Sequence, residues 1–197
     1  GVGGVPGNGK VTVSWVVPDS DGGAPIADYT VVASPGGGSC VTAGTSCVVE
    51  GLTNGQAYTF TVVAANVAGD SPASESSNPV TPRTTPGAPT QVFGVPADKQ
   101  VEVSWTGPVS NGGAPITGYT VKASPGGASC TTSGTSCVVQ GLANGQAYTF
   151  TVKASNEAGD SPVSDPADPV TPRTVPQSPS GVGGVPGNGK VTVSWVV

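Results

Sequence analysis

Residues 1–17 read GVGGVPGNGKVTVSWVV, and residues 181–197 read GVGGVPGNGKVTVSWVV again. Within this stretch Val11, Val13 and Trp15 alternate with Thr12 and Ser14, the period of two of a strand with one face buried. The recurrence matters as much as the alternation. Trp15, Trp105 and Trp195 are equally spaced at 90 residues, and Cys40 and Cys47 recur as Cys130 and Cys137. Residues 1–90 and 91–180 align without a gap at about two-thirds identity, so the chain is an array of similar units rather than one large fold. It reads as repeat, repeat and the opening of a third, and its role belongs to what a row of such units can do.

A unit of about 90 residues makes one small domain, which buries about 60–65% of the surface its unfolded chain exposes and gains from extra staples. Charged residues make up only 10% of the chain, against 31 Gly and 20 Pro, a strand-rich and turn-rich composition. The formal charge of −5 leaves no basic patch to neutralise phosphates, which argues against nucleic acid or an anionic membrane surface as partner. No apolar run is long enough to span a bilayer. The chain holds no Met and begins inside a strand pattern, so it is expected to be a window from a longer or processed protein.

Along one unit the reading is all-β throughout. After the strand at 11–15 and the loop PDSDGGAP at 18–25, residues 26–34 form a strand with Tyr29 and Val31 on one face. Residues 39–41 and 46–50, joined by small residues at 42–45, are expected to pair as a hairpin. The strongest strand is 57–66, where Tyr58, Phe60, Val62 and Ala64 alternate with Thr59, Thr61 and Val63. A last strand at 73–81 is flanked or interrupted by Pro72, Pro79 and Pro82, which suits a sheet edge. Short strands at such intervals, with no helical pattern between them, point to an antiparallel sandwich of two sheets.

These residues resemble the fibronectin type III family, in the form common in secreted bacterial proteins. The resemblance rests on Pro6 and VTVSW at 11–15, Pro25 to Tyr29, Gly51, Leu52 and Tyr58, and NVAGDS at 66–71. The second unit repeats these elements at Pro96, Trp105, Tyr119, Leu142, Tyr148 and residues 156–161. It implies tandem seven-stranded Greek-key, immunoglobulin-like sandwiches and no particular chemistry. The units are expected at 1–82 and 89–172, with Pro-rich linkers at 83–88 and 173–180 and the first two strands of a third repeat at 181–197. Trp15, Tyr29, Leu52 and Tyr58, with Trp105, Tyr119, Leu142 and Tyr148, are expected as core landmarks, the hydroxyls of Tyr58 and Tyr148 bonding backbone at a corner between strands.

Six residues separate the cysteines of each pair across the expected hairpin, and facing strand positions lie within disulfide reach. Bonds Cys40–Cys47 and Cys130–Cys137 are therefore expected, each contributing about 2–3 kcal/mol, with free buried thiols as the alternative. Persistent disulfides imply an extracellular or cell-surface setting. No metal or other cofactor is expected: His is absent, and the loop containing Asp19 and Asp21 reads as a turn rather than a calcium site because Val109 and Asn111 replace both acids in the second unit. No nucleophile and base can be paired, so no catalysis is expected. Gly69-Asp70-Ser71 falls where some family members carry Arg-Gly-Asp, but Ala68 and Ala158 stand in the Arg place, and the motif reads as a turn.

The linkers TPRTTPGAP at 81–89 and TPRTVPQSP at 171–179 should be extended and semi-rigid, and their Thr and Ser beside Pro suit O-linked sugars. Phe93 is a candidate for packing at the junction. Two strands cannot bury an apolar face alone, so Val191, Val193 and Trp195 are expected to be covered by a complementary unit. Either a longer polymer of the repeat or head-to-tail strand exchange between copies of the chain achieves this, and a domain-blind boundary is the remaining reading. The expected role is a non-catalytic structural segment of a long extracellular or cell-surface protein, part of a filament or stalk, with adhesion left open. The alternative is a spacer module of a secreted polysaccharide-degrading enzyme.

Overall fold

Alternation in the sequence becomes burial in the fold: Val11, Val13, Val31, Val49, Phe60 and Val62 turn into one core, and Thr12, Ser14 and their like turn out of it. A computed structural model describes residues 1–196; Val197, the last residue of the third opening, lies outside them. The first unit contains β1 (Gly3–Gly7), β2 (Lys10–Ser14), β3 (Asp28–Ser34), β4 (Ser39–Thr42), β5 (Ser46–Glu50), β6 (Thr59–Asn66) and β7 (Gly69–Asp70). One sheet has the order β1-β2-β5 and the other β4-β3-β6-β7, all pairs antiparallel. The second unit repeats this with β8 (Thr90–Ala97), β9 (Gln100–Thr106), β10 (Gly118–Ser124), β11 (Ser129–Thr132), β12 (Ser136–Gln140), β13 (Thr149–Asn156) and β14 (Gly159–Asp160). The architecture is the seven-stranded sandwich expected, twice over, each copy with its own core.

Trp15 packs against Tyr29 with ring centroids 5.4 Å apart, and Trp105 against Tyr119 at 5.3 Å. Leu52 and Leu142 close the same cores. The Tyr58 hydroxyl accepts the Thr53 N–H at 3.0 Å, and the Tyr148 hydroxyl accepts the Ala143 N–H at 3.1 Å, each pinning the corner before the longest strand.

Two expectations need correction. Residues 39–42 and 46–50 do not pair as a hairpin: β4 joins β3 in one sheet while β5 joins β2 in the other. The short loop crosses between the sheets, and the Cys40–Cys47 disulfide links their edges; Cys130–Cys137 does the same in the second unit. The last strand is not a continuous ladder over 73–81. Instead Ser71, Ser74 and Ser77 recur every third residue along the edge. Their N–H groups donate to the carbonyls of Ala64, Val62 and Phe60 at 2.8, 2.9 and 2.9 Å. Each hydroxyl accepts the N–H of that same β6 residue at 3.0 Å and donates to the carbonyl one place ahead, on Pro72, Glu75 and Asn78. A spacing of three matches the winding of a polyproline helix, and Pro72 falls between the donating positions, where no N–H is needed.

The third opening forms β15 (Ser180–Gly187) and β16 (Lys190–Val196), paired only with each other among the described residues. Val11, Val13 and Trp15 are 0%, 0% and 9% exposed, whereas the same residues of the tail, Val191, Val193 and Trp195, are 61%, 53% and 56% exposed.

Candidate functional site

The sequence has no His, and the four Cys are held in the two disulfides. Among the described residues no three His, Cys, Asp or Glu side chains gather as a metal site would require. The acidic first loop is a turn closed on itself, with Asp21 Oδ1 accepting the Gly23 N–H at 2.9 Å. Gly69 and Asp70 pair with Asn66 and Ala65 as β7, and Ser71 heads the serine series. No described helix is long and apolar enough to cross a membrane.

The built feature of the chain is the junction between its two units. Pro82 accepts the Gly55 N–H at 2.9 Å and the Arg83 N–H donates to Gly7 at 3.1 Å, so the linker is still bonded to the first unit. At the next residue the allegiance changes. The Thr84 N–H donates to the Gly112 carbonyl at 2.8 Å, and the Gly87 N–H donates to that of Ser110 at 2.9 Å. Asn156 Nδ2 donates to Thr84 at 2.8 Å and to Asn111 at 2.7 Å, tying the linker to the loop beside it. The Arg83 guanidinium reaches across to Glu157 of the second unit at 2.9 Å, an exposed pair of the kind that contributes about 0–1 kcal/mol. No free span remains between the bonds to one unit and those to the other.

Glycine is required at this meeting point. A Cβ on Gly112 would run into the Thr84 carbonyl oxygen, and one on Gly113 would run into the backbone nitrogen of Gly55. Both have left-handed backbones, with φ of +73° and +87°. Pro86 and Pro89 are buried under these contacts, whereas Pro176 and Pro179 of the second linker are exposed. Sequence reading anticipated an extended linker but not its attachment. The available signal was the change from Asp21 and Val67 to Asn111 and Glu157, beside the linker and nowhere near the core. Phe93, expected to pack at the junction, is instead 57% exposed on β8.

The fibronectin type III domain family model matches residues 5–80 and 87–170, both sandwiches nearly end to end. The chain belongs to the fibronectin type III family. Among relatives of this fibronectin type III pair, Chitinase A1 of Niallia circulans is 37% identical over 175 residues, covering 79% of this chain and 24% of that protein. Endoglucanase B of Cellulomonas fimi is 34% identical, with 84% and 17% covered. Fibronectin type-III domain-containing protein 3A of Mus musculus is 31% identical, with 81% and 14% covered. The chain thus spans about a quarter or less of the length of these relatives. Domains A168–A170 of titin superpose with a TM-score of 0.56 at 23% identity over 84% of this chain and 60% of that one, a likeness of fold alone.

Proposed function

We propose that this fibronectin type III pair is a non-catalytic structural segment of an extracellular or cell-surface protein, a stiff element of a stalk or filament. The observation that carries the reading is the strapped junction. Backbone bonds to the first unit stop at Arg83 and those to the second start at Thr84, so the linker holds the two sandwiches in one arrangement instead of leaving them to swing. The disulfides support the extracellular setting. Backbone relaxation by nuclear magnetic resonance tests the stiffness. Both units should tumble with one shared anisotropic tensor, and placing a side chain at the contact with Gly113→Val should uncouple them. Independent tumbling of the unaltered units would overturn the reading.

A second reading is favoured by the relatives: a spacer in a secreted polysaccharide-degrading enzyme, as suggested by Chitinase A1 and Endoglucanase B. Sequencing the coding region on both sides of this chain separates the two. More copies of the 90-residue unit support the stalk, and a glycoside-hydrolysing domain supports the spacer.

A further inference from the structure

One surface occurs twice in this chain, once covered and once bare. On the second unit, residues 84–89 lie along the loop at 108–112 and the end of β13, and Asn156 and Ser161 beneath them are 6% and 3% exposed. Ala114 and Ala154 are buried as well. On the first unit the matching Asn66, Ser71, Ala24 and Ala64 have the same identities, yet none of them is buried. The surface there is an open trough of about 360 Å³ lined by Pro18, Ser20, Gly22, Asn66, Gly69 and Ser71. It runs on into a more apolar hollow of about 320 Å³ bounded by Val2, Trp15 and Pro72.

We propose that this trough is a docking site for a proline-rich strap of the repeat's own class, Thr-Pro-Arg-Thr-x-Pro-x-x-Pro, carried by another repeat unit. The occupant is identified by what fills the same surface 90 residues further on. Ser20 and Gly22, whose counterparts Ser110 and Gly112 accept the two strap N–H groups, are exposed. Asn66 Nδ2 donates to Asp21 at 2.7 Å and reaches Ala24 only at 3.5 Å, whereas the corresponding second bond of Asn156 goes to the strap at 2.8 Å. The two strap donors lie three residues apart, one turn of a polyproline helix, and so face the same side. Position 67 is Val where the second unit has Glu157, so the strap's Arg finds no carboxylate in that place and contributes little here. The inference rests on the junction geometry and not on the role proposed above, and either can fail alone.

The test appends TPRTTPGAPT, the sequence of residues 81–90, directly ahead of Gly1 in the full chain, in the register of the second unit. Amide exchange of the appended residues is then measured. The N–H groups standing where Thr84 and Gly87 stand should be protected by about tenfold or more over a free peptide, with shifts at Gly22, Asn66 and Ser71. Asn66→Ala and, separately, Gly22→Ala should each remove that protection while the amides of Phe60 and Val62 keep theirs, which shows that the sandwich is intact. Appended residues that exchange as a free peptide overturn the proposal. So does equal protection of an unrelated proline-rich extension, since the trough would then be a general cover for apolar chain.

Discussion

Ser77 and Ala167 occupy the same place in two copies of one sandwich and differ by a hydroxyl. In the first unit that hydroxyl accepts the buried Phe60 N–H; in the second, Ala167 still donates its own N–H to Phe150 but has nothing to offer in return. Ser77→Ala should therefore cost the first unit about 1–2 kcal/mol, and Ala167→Ser should return a similar amount to the second, read from native-state exchange at Phe60 and Phe150. A second pair of sites offers a backbone test. The turn between the first two strands places Gly9 at φ +65°, Gly189 at +65° and Lys99 at +55°. The left-handed conformation costs a side-chain-bearing residue about 1–2 kcal/mol, partly offset by the greater freedom glycine loses on folding. Lys99→Gly should stabilise the second unit by about 0.5–1 kcal/mol, measured by the midpoint of its denaturant unfolding. Trp15, Tyr29, Trp105 and Tyr119 were legible because alternation marks them locally. The serine hydroxyls were not, because serine among prolines looks the same whether or not its side chain stands in for a backbone acceptor.

At the scale of strands, the segment from 39 to 50 shows where local reading stops. Two short runs of strand formers separated by small residues fit a hairpin and an inter-sheet crossing equally well. What decides between them is the partner each run finds, β3 for β4 and β2 for β5, and those partners are distant in sequence. The disulfide consequently ties two sheets together at their margin rather than two strands of one ladder. Replacing Cys40 and Cys47 with alanine should lower the stability of the first unit by about 2–3 kcal/mol. Exchange should quicken in β4 and β5 together, although they belong to different sheets; a loss confined to one of them would contradict the crossing.

For the whole molecule, the number and type of domains were written in the repeat, but the relation between them was not. A proline-rich linker announces extension; its bonds to Gly112 and Asn156 depend on a loop and a strand end brought together only by folding. The two straps make the difference measurable. Arg83 is half-buried and ion-paired, whereas Arg173 and the residues after it are exposed. Limited trypsin digestion should cut after Arg173 well before Arg83, followed by mass spectrometry of the fragments; equal rates would mean that the first strap is no better held than the second. A further consequence lies in the sheet margins. Neighbouring copies about two-thirds alike, made one after another on the ribosome, are prone to pairing strands with the wrong neighbour before either has closed. Here β1 carries Pro6 and β8 carries Pro96, the serine edges carry Pro72 and Pro79 or Pro162 and Pro169, and the remaining two margins of each sandwich are bonded to each other through sulfur. A margin that lacks donors or is already tied offers poor purchase to a foreign strand. Beads this alike can thus be threaded on one chain without fusing as they form.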